Sequence, residues 1–253
     1  MPQFLLSPED IQDKIFTLRG PEAFHVTRVL RVREGQAIEL FDGHGGRYTG
    51  VIKAIKPDGT VEGEITGKVH CTSRMIPADL TLYLGLLKAS HWEWALEKGT
   101  EIGVGAFVPI LTPRTVVQLR EMGKAKEERW GKIVTAAAKQ CKRSDIPAIR
   151  QPVHFSDAVI EVCKSSLTLL AWEKHEGTST YAALHDVLCK AKKGQKRLPV
   201  NLFIGPEGGF SDDEVELAEC KGAAIFSLGP NILRAETAVV AACAVIFHEL
   251  GSL

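Results

Sequence analysis

Three glycines in one short loop are the first residues whose type and spacing suggest chemistry. They belong to Gly205-Pro206-Glu207-Gly208-Gly209-Phe210, which follows a predicted strand ending at Ile204. Ser211 and Glu214 have the spacing of a capping box, so a helix is predicted directly after the loop. Glycines let a backbone adopt positive φ and approach a ligand closely. Free amides here would suit a phosphate, a carboxylate or an adenine edge; the alternative is a tight turn that needs glycine for its geometry alone.

A second loop, residues 228–238, has the sequence Leu-Gly-Pro-Asn-Ile-Leu-Arg-Ala-Glu-Thr-Ala and connects the last predicted strand to the last predicted helix. Its arginine, Arg234, falls at the N-terminus of that helix, where the helix dipole disfavours a cation. This placement indicates a task such as contacting an anionic ligand. The alternative is a surface arginine that pairs with Glu236.

Several common site patterns are missing from the sequence. The glycine loop is neither a Walker A motif nor a GxGxxG fingerprint, which argues against nucleotide-hydrolysing and dinucleotide-binding sites. The six cysteines form no CxxC pair and have no histidine at metal-ligand spacing, so we expect reduced thiols, no metal site and a cytoplasmic location. The N-terminus does not resemble a signal peptide, and no apolar run approaches the roughly 18 residues of a membrane span.

The elements that position these loops follow two patterns. Residues 1–72 contain short β signals at 37–41, 48–52 and 60–65, separated by turn residues, and we predict a small β-barrel with one helix from Gly20 to Arg31. From residue 78 onward apolar runs alternate with helical periodicity, which predicts an α/β domain over 78–253 with a mostly parallel sheet. Its predicted strands are 80–87, 106–111, 167–172, 200–204 and 224–228, and its predicted helices are one capped by Ser90 and then 127–141, 180–190, 212–220 and 235–250.

The two loops together closely resemble the small-subunit ribosomal RNA uridine-N3 methyltransferases of the SPOUT superfamily. The resemblance extends through residues 25–31, 97–103 and 137–144, so it covers nearly the whole chain in the same order. It implies a knotted α/β methyltransferase domain, with a trefoil knot, preceded by a PUA-like RNA-binding β-barrel domain. It also implies S-adenosylmethionine as the cofactor, a uridine of small-subunit (16S) ribosomal RNA as the substrate, and a homodimer.

By this resemblance the walls of the cofactor pocket are Leu170, Ala171, Gly205, Pro206, Glu207, Gly208, Gly209, Leu228, Gly229, Ile232 and Leu233. Uracil N3 carries a proton at neutral pH, so its methylation needs a base or a cation that stabilises the uracil anion. We predict that Arg234 is the catalytic residue that provides this cation. Glu207 and Glu236 are both candidate bases, and the sequence does not choose between them.

Positive charge is concentrated in two places although the net charge of the chain is zero. Residues 112–151 contain ten Lys or Arg and four Asp or Glu, a net charge of +6, which is typical of a phosphate-binding surface. On the predicted N-terminal helix, Arg28 and Arg31 should share one face while Val29 and Leu30 turn toward the barrel. The predicted RNA contacts are Arg28, Arg31, Arg33, Arg129, Lys139, Lys142 and Arg143; an ordinary solvated surface is the alternative.

Three other functions remain open at this point. A different knotted methyltransferase would act on a ribose 2′-hydroxyl, and its product would differ. An RNA-binding ribosome assembly factor without activity would not bind S-adenosylmethionine. A metabolic enzyme acting on a small nucleotide would bind RNA, if at all, without the steep salt dependence that phosphate contacts produce.

Overall fold

A computed structural model of the chain describes residues 3–69, 78–115, 123–174, 180–194 and 196–251. These residues form two compact units, one within Met1–Ser73 together with Thr135–Ile146, and one within Arg74–Val134 together with Pro147–Leu253. None of the helices in the described ranges combines the length and apolar character needed to cross a membrane.

The first unit is built on a six-stranded sheet. Its strands are β1 (Gln3–Leu5), β2 (Ile11–Gln12), β3 (Ile15–Leu18), β4 (Ala37–Phe41), β5 (Arg47–Ile55) and β6 (Val61–Lys68). Their order is β1-β4-β5-β6-β3-β2, and every pair is antiparallel except β1 with β4. The three predicted strands correspond to β4, β5 and β6, and their buried side chains pack with Phe4 and Phe16 into one apolar core.

The helical segment of this unit differs from the prediction. Instead of one helix to Arg31, a short α-helix, α1 (Gly20–Phe24), continues as a π-helix over His25–Val29. A π-turn holds more residues than an α-turn. The three-residue spacing by which Arg28 and Arg31 were predicted to share one face therefore does not apply. Val29 and Leu30 are 58% and 39% exposed, so the prediction that they face the barrel was wrong; Ala23 and Val26 are buried instead.

The second unit contains a parallel sheet. Its strands are β7 (Ala78–Gly85), β8 (Ala106–Leu111), β9 (Ala148–Ile149), β10 (Val153–His154), β11 (Leu167–Ala171), β12 (Leu198–Ile204) and β13 (Ala224–Phe226). The order is β10-β8-β7-β12-β11-β13, with β9 also pairing with β8, and all pairs are parallel. This confirms the α/β prediction.

The helices are α2 (Ala89–Ile102), α3 (Lys124–Gln140), α4 (Phe155–Val162), α5 (Thr180–Lys192), α6 (Asp212–Cys220) and α7 (Ala235–Glu249). Ser90 does not cap α2, because the helix begins one residue before it and Lys88 is the N-cap. The last residues of α3 and the loop after it, Thr135–Ile146, group with the first unit. There the side-chain amide of Gln3 donates to the carbonyl oxygen of Arg143 at 3.1 Å.

Candidate functional site

A cavity of about 530 Å³ lies in the second unit, at the carboxyl ends of three neighbouring strands. Its walls come from the segments that follow β11, β12 and β13, together with the first turn of α7 and one residue of α2. In open parallel sheets ligands bind at this edge, where loop amides and helix N-termini converge. The two loops singled out in the sequence are therefore adjacent.

In the glycine loop after β12, one of the three glycines, Gly209, has the positive φ that glycine allows. Gly209 has φ 66° and donates its N–H to the carbonyl oxygen of Pro206 at 2.9 Å. The capping box is present: Glu214 donates its backbone N–H to the Ser211 hydroxyl at 3.2 Å, and Ser211 returns its own to the Glu214 carboxylate at 2.8 Å. A Cβ on Gly85, at the end of β7, would lie 2.2 Å from the nitrogen of Pro206, so β7 and the loop meet backbone to backbone.

Arg114 supports this loop, a role that sequence analysis missed. Its Nη1 donates to the carbonyl oxygens of Gly208 at 3.1 Å and Phe210 at 2.9 Å. The guanidinium therefore binds two carbonyl oxygens of the glycine loop from outside the cavity. In the sequence, Arg114 was indistinguishable from the other cations of the basic stretch, because its partners are more than 90 residues further along the chain.

The second loop places Arg234 at the cavity. Gly229 has φ 115°, which favours glycine, and Arg234 is the N-cap of α7 with extended backbone. The guanidinium is exposed and makes no hydrogen bond or ion pair within the described ranges, so the alternative pairing with Glu236 is not formed. A cation without a protein partner therefore lies at the rim of the cavity.

Ten of the eleven predicted pocket residues line this single cavity. The exception is Leu170, which has no exposed surface and packs with Tyr83 and Phe203 in the core behind the wall. Its neighbour Ala171 does line the cavity. Strand alternation explains the difference, because successive side chains of β11 point to opposite faces of the sheet.

An imidazole and two of the carboxylates that line the cavity lie close together. His91 of α2 has Nδ1 at 3.8 Å from Oε1 of Glu207 and Nε2 at 4.0 Å from Oε1 of Glu236. Glu207 also accepts the backbone N–H of Lys88 at 3.0 Å. His91 was not among the predicted site residues. The only feature of the sequence that pointed to it was its position soon after the end of β7, three residues beyond Lys88.

The predicted RNA-contact residues divide into two groups. Arg28, Arg31, Arg33 and Lys142 are exposed. Lys139 pairs with Glu22, Arg129 pairs with Glu93 at 2.7 Å, and Arg143 pairs with Asp145 at 2.6 Å, its side chain only 8% exposed. The second group is thus engaged within the protein. Arg120, another cation of the basic stretch, lies outside the described residues.

Nucleophilic and metal chemistry have little support elsewhere in the described ranges. Five cysteines are described and all are free; Cys71 lies outside these ranges. Burial raises the pKa of the Cys243 thiol to about 12, which leaves it protonated and unreactive. Within the described ranges no group of three or more His, Cys, Asp or Glu residues is arranged to hold a metal ion.

Comparison with known proteins places this architecture in a family. Residues 74–247 match the model of an RNA methyltransferase domain, and residues 18–66 match that of an RNA methyltransferase PUA domain. Ribosomal RNA small subunit methyltransferase E of Bacillus subtilis is 30% identical over 92% of this chain and 90% of its own length. The Synechocystis protein of the same name is 33% identical over 99% of this chain and 78% of its own length.

Solved structures agree with the sequence matches. A crystal structure of ribosomal RNA small subunit methyltransferase E from Neisseria gonorrhoeae, bound to S-adenosylmethionine, is 27% identical with a TM-score of 0.82 and covers 96% of this chain and 95% of its own. A Legionella pneumophila structure with the same bound cofactor is 29% identical with a TM-score of 0.80, covering 96% of each chain. A matching catalytic domain, a matching PUA domain and full-length relatives lead to one conclusion: the chain belongs to the RNA methyltransferase family that includes ribosomal RNA small subunit methyltransferase E.

Proposed function

We propose that this protein transfers the methyl group of S-adenosylmethionine to N3 of a uridine in small-subunit (16S) ribosomal RNA. The observation that carries the proposal is the single cavity that joins the glycine loop to the unpaired cation of Arg234. One loop supplies a backbone surface for the cofactor, and the other supplies a positive charge where the acceptor base would become anionic. The named relatives support the choice of small-subunit ribosomal RNA.

The cavity fits the cofactor in its chemistry. Leu228, Ile232 and Leu233 offer apolar surface, while Gly205 to Gly209 offer backbone amides and carbonyls. His91 Nδ1 is buried without a hydrogen-bond partner among the described residues, and buried polar groups of this kind are normally satisfied by a ligand or water. When bound, S-adenosylmethionine supplies a methyl group on a sulfonium, ready for in-line displacement.

Arg234 acts in this scheme on the acceptor base. Loss of the N3 proton places negative charge on the uracil ring and its two carbonyl oxygens. A guanidinium at the positive end of α7 stabilises that charge, and the helix N-terminus adds to the same field. No intramolecular bond has to be broken before Arg234 takes this role, because its guanidinium has no partner within the described part of the chain.

RNA binding falls to the exposed arginines of the PUA-like unit and to Lys142, whose segment, Thr135–Ile146, groups with this unit. Lys139 and Arg143 would shape this surface through Glu22 and Asp145. Arg129 contributes only if it exchanges Glu93 for phosphate. Because the proposed substrate is ribosomal RNA, we place the reaction in the cytoplasm.

The homodimer and the trefoil knot are also part of the proposal. A second copy would cover apolar surface near the cavity: Ile232 is 84% exposed, and Trp94 of α2 is 41% exposed. Val240, Ala244 and Val245 of α7 are only half-buried, although this helix is apolar nearly all round. Sedimentation at several protein concentrations tests the dimer directly.

The experiment that tests the proposed function uses small-subunit particles from a strain that lacks this methylation. The purified protein is incubated with them and with labelled S-adenosylmethionine, and the modified nucleoside is identified by mass spectrometry. We expect N3-methyluridine from the wild type and a turnover at least 100-fold lower from Arg234→Ala, with cofactor affinity nearly unchanged. A 2′-O-methylated product, or no transfer by a protein that binds RNA, would refute it.

A further inference from the structure

The proposed function leaves open which group accepts the proton of uracil N3. His91, Glu207 and Glu236 form a cluster at the wall of the cavity, and all three line it. The imidazole lies between the carboxylates, with its nitrogens 3.8 Å and 4.0 Å from them. These are ion-pair distances, too long for hydrogen bonds, so a movement of less than about an ångström would close either contact.

The two carboxylates differ in what they already bind. Oε1 of Glu207 accepts the Lys88 backbone N–H, and 31% of its side chain is exposed. The Glu236 side chain is 12% exposed, and its Oε2 is buried without a partner among the described residues. A buried carboxylate oxygen without a donor is costly. Glu236 is therefore the carboxylate whose arrangement requires a donor from a ligand, and Glu207 is already committed to fixing the start of α2.

We propose that Glu236 is the catalytic base that receives the N3 proton of the uridine, and that His91 is the positioning residue that aims it. This inference rests on the proposed function. The N3–H bond breaks and its proton passes to Oε2 of Glu236. The electron pair left on N3 forms the new N3–C bond as the C–S bond breaks, and the C–S electrons go to sulfur, which leaves as a neutral thioether.

Placement in the fold explains why these groups act together. Glu236 lies in the first turn of α7, two residues after Arg234, so the base and the anion-stabilising cation come from one helix turn. His91 lies in the first turn of α2, a helix that packs against α7. The imidazole separates Glu236 from Glu207 and limits their like-charge repulsion. Removal of His91 frees Glu236 to rotate, whereas removal of Glu236 eliminates the acceptor.

Glu236→Gln tests the base, because it keeps the size of the side chain and removes its ability to accept a proton. Glu219→Gln, an exposed position on α6, is the matched control. Turnover and its pH profile are measured on small-subunit particles at saturating cofactor, and cofactor affinity is measured by calorimetry. We expect a 100-fold or larger fall in kcat, a dissociation constant for S-adenosylmethionine within about 3-fold of the wild type, and an unchanged control.

The pH profile gives a readout that a structural role would not move. The charged groups around Glu236 are His91 from α2, Glu207 and Glu173 from the cavity loops, and Arg234 from its own helix. With the base present, kcat should not depend on hydroxide concentration in the alkaline range. In Glu236→Gln the residual rate should keep rising with hydroxide concentration, because solvent must then remove the proton.

The positioning role has its own pair of variants. His91→Leu removes both ring nitrogens, and we expect kcat to fall about 10-fold with little change in KM. His91→Gln restores N–H donors between the carboxylates and should recover most of that loss. His248→Leu, on the exposed side of α7, is the control. Wild-type activity in His91→Leu would overturn the positioning role.

Two results would overturn the assignment of Glu236. One is an active Glu236→Gln enzyme; the other is a large rise in the cofactor dissociation constant with normal kcat at saturation, which would make Glu236 a cofactor ligand. A melting curve shows whether the variant folds, and Glu236→Asp, which keeps the carboxylate but retracts it, should retain partial activity. Failure of the wild type to methylate RNA would instead refute the proposed function itself, so the two failures are distinguishable.

Discussion

Nη1 of Arg114 donates a hydrogen bond to the carbonyl oxygen of Gly208 at 3.1 Å and a second one to Phe210 at 2.9 Å. Arg114 follows the end of β8, whereas Gly208 follows β12, and β7 lies between these two strands in the sheet. Arg114 thus reaches across the position of β7 to hold the glycine loop. A positively charged donor to a neutral carbonyl is among the stronger hydrogen bonds in proteins.

Replacement of Arg114 by leucine should loosen the glycine loop while leaving the sheet intact. Hydrogen bonds from a charged group contribute on the order of 1.5–3 kcal/mol each, and part of this free energy fixes the loop in its binding conformation. We expect the dissociation constant for S-adenosylmethionine to rise by about 10-fold in calorimetry. Lys221→Leu, an exposed cation after α6, should bind normally. Equal affinity in both variants would show that the loop is rigid without Arg114.

Gly209→Ala should impair the same loop through the backbone. Its φ of 66° is unfavourable for alanine by about 1–2 kcal/mol, and the added Cβ would lie 2.9 Å from Oε1 of Glu173. Gly222→Ala is a matched control, because Gly222 has φ 95° with no atom within 4 Å of the added Cβ and does not line the cavity. Both variants should melt at lower temperature, but only Gly209→Ala should lose cofactor affinity. A parallel loss in Gly222→Ala would assign the effect to global stability.

Much of the α/β unit could be predicted because its apolar runs and turn residues are local signals. The strand over 106–111 and the helix over 212–220 have the predicted bounds. Strands β2, β9 and β10 have two residues each, too few for a periodic pattern. The π-helix over His25–Val29 was missed for a related reason, since no simple spacing distinguishes it from an α-helix.

The residues of the candidate site also fall into some that could be predicted from local sequence and some that could not. The positions of the glycine loop and of Arg234 at the cavity could be predicted, because the residues that mark each segment are consecutive in the chain. His91 and Arg114 were missed because their partners, Glu207, Glu236 and Gly208, become neighbours only when the sheet order brings β7 beside β12 and β8. A contact between residues more than 90 positions apart depends on this order, which local periodicity does not determine.

The ion pair between His185 of α5 and Glu249 of α7 should make stability depend on pH. The hydrogen bond to the Glu249 carboxylate raises the pKa of His185 above its usual 6.5. A raised folded-state pKa stabilises the protein fully below pH 6.5, and this stabilisation is lost as pH rises through the raised value. The melting temperature of His185→Gln should therefore fall below that of the wild type at pH 5.5 and approach it at pH 9. A difference that is constant with pH would show that His185 acts through packing alone.

Binding of ribosomal RNA should depend steeply on salt, and the exposed arginines of the first unit should account for part of this dependence. Arg28, Arg31 and Arg33 are exposed and lie around the end of the π-helix, where Arg31 has φ 54° and turns the chain. Each phosphate that such a cation neutralises releases counterions, so the slope of log affinity against log salt should fall by about one for each contact removed.

Arg28→Ala and Arg33→Ala should each weaken binding most at low salt and hardly at all near 0.5 M. Lys53→Ala is the control in the same unit, because Lys53 is also exposed but lies 3.1 Å from the carboxylate of Glu64 on the neighbouring strand β6. If these arginines contact phosphate, the arginine variants reduce the slope and the lysine variant does not. Equal slopes in all three variants would mean that these arginines do not contact RNA, and that RNA is held by Lys142 or by cations of the second unit instead.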